Sequence, residues 1–168
     1  MPFSATGSVV STDLDNMLRG LYRDNSDSAV TPASTILKEV AIGANILGST
    51  GGFHIIASGT ITGTAGTKQI QLRYSVVGVS SGTMLTINQA AGTTSDWFID
   101  AWCFNTATNA QRWFIQRNTN DLLTSTFDYD VGTIDTTQTT SLRVTGSLGN
   151  NADTLTVTKM DVHLAHIT

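Results

Sequence analysis

Three histidines are the first residues that could carry chemistry, because imidazole is a common metal ligand and a common acid–base group. His54 lies in a stretch that alternates apolar and polar residues, and His163 and His166 lie in the last predicted strand. On a strand, residues three apart point to opposite faces, so His163 and His166 cannot bind one metal ion together without a distortion. We therefore expect all three to be structural or exposed, and we expect no metal site.

Aspartates form the second group of candidates, and the closest cluster is Asp128, Asp130 and Asp135 in the segment FDYDVGTID. Alternation places Asp128 and Asp130 on one side of a strand, where they either bind calcium or face solvent. A glycosidase would need two carboxylates across a cleft, and the sequence specifies no such pair. No nucleophile elbow, phosphate-binding loop or zinc spacing is present. We expect no catalytic residue and no cofactor, and we expect that the protein is not an enzyme.

Aromatic side chains on loops rich in Thr and Asn can stack on sugar rings. Tyr129, Trp97 and Trp113 are the candidates for such a platform. The alternative is that these side chains fill the core or a seam between subunits, which is the commoner role of large aromatic residues.

Composition limits the classes of partner. Charged residues make up 13% of the chain, about half the usual quarter. The net charge is −4 and the nine basic residues are scattered, so we expect no nucleic acid and no anionic membrane as a partner. No signal peptide or membrane span is recognisable, which predicts a soluble protein made in a cytoplasm. Cys103 is the only cysteine and lies between Trp102 and Phe104, so it is expected to be an inert core residue.

Most of the chain has the pattern of β-strands separated by short turns rich in Gly, Asn, Ser and Thr, which predicts an all-β, jelly-roll-like antiparallel sandwich. Ile70, Leu72, Tyr74 and Val76 alternate with polar residues, as in a strand with one wet face. Strands are predicted near residues 34–42, 52–62, 67–78, 83–89, 96–105, 110–117, 123–130, 139–146 and 154–166.

The last predicted strand changes the parity of its apolar residues. Leu155 and Val157 share one parity, whereas Met160, Val162 and Leu164 have the other. A β-bulge near Thr158 to Met160 would keep both sets facing inward.

A short N-terminal helix is predicted because five apolar residues recur at helical spacing, namely Leu14, Met17, Leu18, Leu21 and Tyr22. Ser11 or Thr12 can cap it. The apolar stripe either covers one end of the sandwich or docks on a neighbouring subunit or particle. The prediction divides the chain into an N-terminal arm, residues 1–33, and a sandwich domain, residues 34–168.

The segment from Trp97 to Phe104 is apolar on both faces except at Asp100. A small sandwich has only one inner layer, so we expect one face of this strand to contact a partner subunit. Trp102 and Phe104, or else Trp97, would be the anchors of that interface.

Four segments resemble a recurrent jelly-roll module of tailed-bacteriophage virion proteins. They are MLRGLYRDNSDSAVT, LGSTGGFHIIASGTITGTAGTKQIQLRY, SDWFIDAWCFNTATNAQRWF and TTSLRVTGSLGNNADTLTVTKMDVHL, and they span essentially the whole chain. The resemblance implies a homotrimer that serves as a capsid cement or decoration protein or as the tip of a tail or head fibre. It supplies no catalytic residue.

The capsid role is the favoured expectation, because the chain is short and shows no shaft repeat and no second domain. It implies that the trimer binds the major capsid protein on the surface of the virion and stabilises the head. The fibre-tip alternative implies recognition of the host surface, with a glycan as a possible ligand.

Overall fold

The computed structural model describes residues 20–24, 28–29, 35–63, 66–79, 82–89, 95–119 and 125–165. Within these ranges the chain forms eleven β-strands and no helix. The strands are β1 (Gly20–Asp24), β2 (Ser28–Ala29), β3 (Thr35–Ile42), β4 (Gly52–Thr62), β5 (Lys68–Val76), β6 (Thr83–Gln89), β7 (Ser95–Ala107), β8 (Ala110–Thr119), β9 (Ser125–Gly132), β10 (Thr140–Leu148) and β11 (Thr154–Ala165).

The strands form two antiparallel sheets that pack as a jelly-roll-like sandwich, which confirms the predicted all-β class. Sheet A has the order β1-β11-β4-β7-β8-β9, with β2 also paired to β11, and sheet B has the order β3-β10-β5-β6. The chain changes sheet repeatedly, for example from β3 to β4, from β4 to β5 and from β6 to β7. The two final strands, β10 and β11, lie inside the two sheets and not at their edges.

The core lies between the two sheets. It is built from every second residue of each strand, the residues that point toward the other sheet. At its centre the rings of Phe53, Tyr74 and Trp113 meet edge to face, with centroids 5.3 to 5.7 Å apart. Burying a Phe-sized side chain contributes about 1.5–3 kcal/mol. The Tyr74 hydroxyl accepts a hydrogen bond from Thr140 Oγ1 at 3.1 Å, so its polar atom is satisfied inside the core. Burial raises the pKa of Tyr74 well above its ordinary value.

All nine predicted strands are present, as β3 to β11, and each end lies within two residues of its predicted position. The predicted β-bulge is also confirmed, because the register between β11 and β4 shifts between Val157 and Lys159. Leu155 and Val157 before the bulge and Met160 and Val162 after it are all buried.

The predicted N-terminal helix is wrong over its last residues. Leu21 and Tyr22 lie in β1, Gly20–Asp24, where Tyr22 pairs with Val162 of β11. The rest of the predicted helical face, namely Leu14, Met17 and Leu18, lies outside the described residues. Both β1 and β2 lie before the predicted domain boundary at residue 34, and both pair with β11 of the sandwich.

Tertiary contacts explain why residues 20–24 form a strand. The edge of β11 offers backbone hydrogen bonds, and short helices depend on packing for most of their stability. In the strand, the Asp24 carboxylate lies 2.6 Å from the buried ammonium of Lys38 and accepts a hydrogen bond of 2.8 Å from the Tyr22 hydroxyl. Burial and the Asp24 carboxylate raise the pKa of Tyr22 to about 12.

A buried ion pair lies at the end of the sandwich where β5 and β11 begin. Lys68 Nζ lies 3.2 Å from Asp153 Oδ2, and both side chains are fully buried. Gly63 lies against the Asp153 carboxylate with φ +146°, and a Cβ at this position would collide with it. The turn after β4 therefore requires glycine at residue 63.

Candidate interaction surface

The outer face of sheet A carries a row of rings that crosses five strands. His163 of β11 pairs with His54 of β4, His54 with Trp102 of β7, Trp102 with Phe114 of β8, and Phe114 with Tyr129 of β9. Directly paired positions share a face of the sheet, so the register alone places these side chains next to each other. We call this surface the aromatic face, and its other members are Phe104, Phe127 and Val131.

The rings at the centre of the aromatic face are held in place by their neighbours. The imidazole of His54 stacks on the Trp102 indole with centroids 4.0 Å apart and an angle of 8° between the planes. His54 Nε2 is also hydrogen-bonded to Asp100 Oδ1 at 2.7 Å. Phe104 lies nearly parallel to Trp102 at 5.8 Å. One face of the indole is thus covered by His54, which leaves that ring face unavailable for stacking on a ligand.

A groove of about 350 Å³ runs along the aromatic face between β7 and β9. Trp102, Phe114, Phe127 and Tyr129 provide most of its walls, and Asp100 and Gln116 are among its polar groups. Phe114 and Tyr129 meet edge to face at 5.5 Å. Phe127 is 75% exposed and Trp102 is 39% exposed. Large apolar side chains with this exposure typically mark an interaction site.

The charged groups around the groove already have partners. Asp128 Oδ2 lies 2.9 Å from Arg117 Nε, and Arg112 donates a hydrogen bond of 3.2 Å to the Tyr129 hydroxyl. Asp130 Oδ1 accepts a hydrogen bond of 2.8 Å from the backbone N–H of Val131. A partner that covers the aromatic face would leave the Asp128–Arg117 pair intact, whereas the bonds of Arg112 and Asp130 are to neutral groups and do not neutralise their charges.

Strand β9, at one edge of sheet A, carries charged side chains that oppose pairing with the strand of another chain. Phe127, Tyr129 and Val131 of β9 lie on the aromatic face, whereas Asp128 and Asp130 point to the other side. Charged side chains along an edge strand oppose pairing with another chain through the backbone. The geometry therefore favours contact through the aromatic face over extension of the sheet at β9.

The acidic residues of the segment FDYDVGTID do not form a shared site. Asp128 pairs with Arg117, and the Asp135 carboxylate accepts hydrogen bonds from Gln138 and Thr137 within its own turn. These bonds, with that from Gln138 the largest contribution, lower the pKa of Asp135. Among the described residues, no three His, Cys, Asp or Glu side chains lie close enough to hold a metal ion. His166 lies outside the described residues.

Of the predicted interface anchors, Trp102 and Phe104 lie on the aromatic face, but Trp97 does not. Trp97 is buried in the core, and its Nε1 donates a hydrogen bond of 3.2 Å to the Thr156 carbonyl oxygen. The interpretation of Trp97 as an anchor is therefore wrong, because its parity on β7 is that of the inward residues.

Two of the three residues considered as sugar platforms are core residues. Trp97 and Trp113 are fully buried, and Tyr129 alone of the three is exposed. Cys103 is also fully buried, as predicted, and burial raises the pKa of its thiol far above the ordinary value.

Sequence reasoning assigned neither Phe127 nor Val131 to an interaction surface, expected His54 to be structural or exposed, and noted that Trp113, Phe114 and Ile115 form a second stretch that is apolar on both faces. A signal for Phe114 was present, because it lies between two inward residues, Trp113 and Ile115, and must face outward. The cross-strand register that aligns Phe114 with Trp102 is not readable from one strand alone.

Within the part of the chain that the structure describes, no helix has the length and apolar character needed to cross a membrane. No protein-family model and no curated protein sequence matches the chain.

Several solved structures are similar to the chain. Lectin II from Ulex europaeus is 11% identical with a TM-score of 0.40, over 83% of this chain and 86% of that chain. Lectin I-B4 from Griffonia simplicifolia, in a metal-free form, is 8% identical with a TM-score of 0.41, over 86% and 93%. The structure of the infectious bursal disease virus Gx strain is 10% identical with a TM-score of 0.30, over 86% and 41%. These likenesses concern the fold alone, and the resemblance to tailed-phage modules stays a prediction.

Proposed function

We propose that this chain is a non-enzymatic virion protein of a tailed phage that forms homotrimers through the aromatic face and decorates the capsid. The observation that carries the proposal is the aromatic face itself. It exposes Trp102, Phe114, Phe127, Tyr129 and Val131 on a sandwich whose core is already complete between the sheets. Interface cores are enriched in aromatic residues and depleted in charge, as this surface is.

The exposed area supports a protein partner. From their exposed fractions, the four rings present about 400 Å² of surface, taking roughly 200 Å² for each fully exposed aromatic side chain. A stable interface buries about 800 Å² on each partner. The rings alone therefore supply about half of the buried area that a stable interface needs, and the polar residues around them can supply the remaining area.

A second copy of the same chain fits this surface because the surface carries both a projection and a groove. Phe127 stands out at the edge of sheet A and forms part of the wall of the groove, whose volume of about 350 Å³ is large enough for a phenyl ring from another copy. When the projection of each copy enters the groove of the next copy, the contact is head to tail, and it closes into a ring if the rotation is threefold. Asp100 is hydrogen-bonded to His54 and Asp128 is paired with Arg117, which lowers the electrostatic cost of such a contact at these two carboxylates.

The capsid role follows from the resemblance to phage modules together with this trimer. A trimer that bridges neighbouring copies of the major capsid protein binds only the assembled lattice, so it shifts the equilibrium away from dissociation. The predicted apolar residues Leu14, Met17 and Leu18 are candidates for contact with that lattice, and so is Leu21.

The deciding experiment locates the protein on intact virions by cryo-electron microscopy, with mass spectrometry of purified heads and tails for its copy number. Hundreds of copies at threefold or quasi-threefold positions of the head would support decoration. A few copies confined to the tail or to one vertex would contradict it. That result would favour the second candidate, a fibre tip that recognises the host surface.

A further inference from the structure

A second groove lies on the outer face of sheet A, at the opposite end from the rings. It has a volume of about 340 Å³ and contains Phe98 of β7. Phe98 and Trp102 are four residues apart on β7, which separates this groove from the row of rings by roughly 13 Å. We call it the polar groove. Its outward side chains are those of Ser58, Thr60, Asp96, Phe98, Asn118 and Thr158, and Gly59 and Trp97 also line it.

The register of sheet A brings these side chains together. Ser58 pairs with Phe98, and Phe98 pairs with Asn118, while Thr60 pairs with Asp96 in the next row. The β-bulge in β11 adds Thr158, whose hydroxyl donates a hydrogen bond of 3.3 Å to the Ser58 carbonyl oxygen. Bulges commonly redirect a side chain next to a functional site.

Glycine is required beneath this groove. Gly59 packs so closely against β11 that a Cβ there would collide with the carbonyl oxygen of Thr156 and with the ring of Trp97. The close approach of the two backbones lets the bulge sit directly beside β4.

The chemistry of the polar groove suits a ligand with several hydroxyl groups. The hydroxyls of Ser58 and Thr60 can donate and accept, and the Thr158 hydroxyl, which already donates to Ser58, can accept. The Asp96 carboxylate accepts, and the Asn118 amide does both. Asn118 Oδ1 is buried and has no hydrogen-bond partner among the described residues. A buried acceptor without a partner is costly, so a ligand hydroxyl that donates to it would be favoured. The partly buried ring of Phe98 adds an apolar surface for the C–H groups of a sugar.

Charge selects among such ligands. Among the residues that the structure describes, no Lys, Arg or His side chain lines the polar groove, and Asp96 is exposed in it. Lys159, which pairs with Ser58 one strand away, has its ammonium 3.1 Å from Asp161 Oδ2. An anionic ligand would meet a carboxylate without a compensating cation in the groove. A neutral ligand meets no such penalty.

We propose that the polar groove is a binding site for a neutral saccharide of one or two rings, held by Asp96, Asn118 and Phe98. The volume lies at the lower end of the range for small-molecule sites, which limits the ligand to this size. The site goes beyond the proposed role in the virion and does not depend on it, since the polar groove and the aromatic face are separate surfaces.

The test is saturation-transfer NMR and amide chemical-shift mapping on the full chain with single sugars as probes. The neutral set is the methyl glycosides of glucose, galactose, mannose and N-acetylglucosamine, and the anionic set is glucuronic acid and sialic acid. Because the groove is shallow, we expect a dissociation constant on the order of 1 mM for at least one neutral sugar. The amide shifts should centre on Asn118 and Thr158, and the acids should bind at least tenfold more weakly.

Two variants locate the site. Asp96→Asn and Asn118→Ala should each weaken binding at least tenfold, since each removes a group that contacts hydroxyls. Asp130→Asn and Asn88→Ala make the same chemical changes outside the groove and should leave binding unchanged. Asp96 is exposed, so its variant should fold normally, and circular dichroism checks this.

The proposal is overturned if no neutral glycoside binds at concentrations about ten times that dissociation constant. Equal binding of the acids, or binding that the Asp96 and Asn118 variants leave unchanged, also overturns it. None of these results bears on where the protein sits in the virion.

Discussion

Truncation of Phe127 is the most direct perturbation of the aromatic face. Phe127 is 75% exposed in a single copy, so Phe127→Ala removes no contact of the core. If the ring enters the groove of a neighbouring copy, about 130 Å² of apolar surface leaves water, and at about 25 cal/mol per Å² this contributes about 3 kcal/mol. Alanine keeps part of that surface, so the expected loss is about 2–3 kcal/mol for each contact, or roughly 30- to 150-fold in the dissociation constant of each of the three contacts in the trimer.

Analytical ultracentrifugation over a range of concentrations measures this change. The tryptophans give a second signal, because Trp97 and Trp113 are buried in each copy and Trp102 is exposed. The fluorescence emission of Trp102 should move to shorter wavelength as the protein concentration rises and the copies associate. Ile36→Ala is the matched control, since Ile36 is a half-exposed apolar residue on sheet B.

The reasoning is refuted if Phe127→Ala leaves the dissociation constant within twofold of the parent value, or if the parent chain is monomeric at every concentration. A loss of association in Ile36→Ala with none in Phe127→Ala would assign the interface to sheet B. Urea unfolding of both variants at low concentration should match the parent, which separates association from stability.

Three further predictions concern groups that are buried or partly buried. Lys68→Met leaves the buried Asp153 carboxylate without the Lys68 ammonium, so it should lower the free energy of unfolding by about 3–5 kcal/mol. The double variant Lys68→Met with Asp153→Leu should recover most of that loss, and urea titrations measure both changes. The Cys103 thiol, whose pKa burial raises, should react with a thiol reagent only after denaturant is added, and reaction in native buffer would show that the core opens. The pKa of Tyr22 is raised from 10 to about 12 in the folded state, so its contribution is fully present below pH 10 and is lost as the pH rises toward 12. Tyr22→Phe should therefore flatten the fall of unfolding free energy over this range, and an equally steep fall in both proteins would contradict the assigned cause.

The strands of the sandwich were predictable because their apolar periodicity comes from a single buried face. Ile70, Leu72 and Tyr74 alternate with polar residues and prove to be buried. The change of parity between Val157 and Met160 predicted the bulge for the same reason. When one side of a strand is buried, apolar residues recur at every second position, and this pattern can be recognised within the strand itself.

The residues whose positions were not predictable depend on contacts between distant segments. Leu21 and Tyr22 fit a helical spacing, but β1, which contains them, pairs with β11 about 140 residues later in the chain. Trp97 and Trp102 differ in parity, and both parities of β7 carry large apolar side chains. The signal that was not used is that Asp96 and Asp100 share the parity of Trp102, which marks that face of β7 as the outer one. The polar groove combines residues of four strands, and its assembly follows from register alone.

The position of β10 and β11 in the sheets also determines when the protein can fold. β10 lies between β3 and β5, and β11 lies between β1 and β4, so neither sheet is continuous until residues 140–165 have been synthesised. A nascent chain that lacks them would expose the edges of β3, β4 and β5, and such unpaired edges promote aggregation. Folding must therefore wait until synthesis of β11 is finished. Pairings this distant in sequence also make folding slow, on the order of milliseconds to seconds.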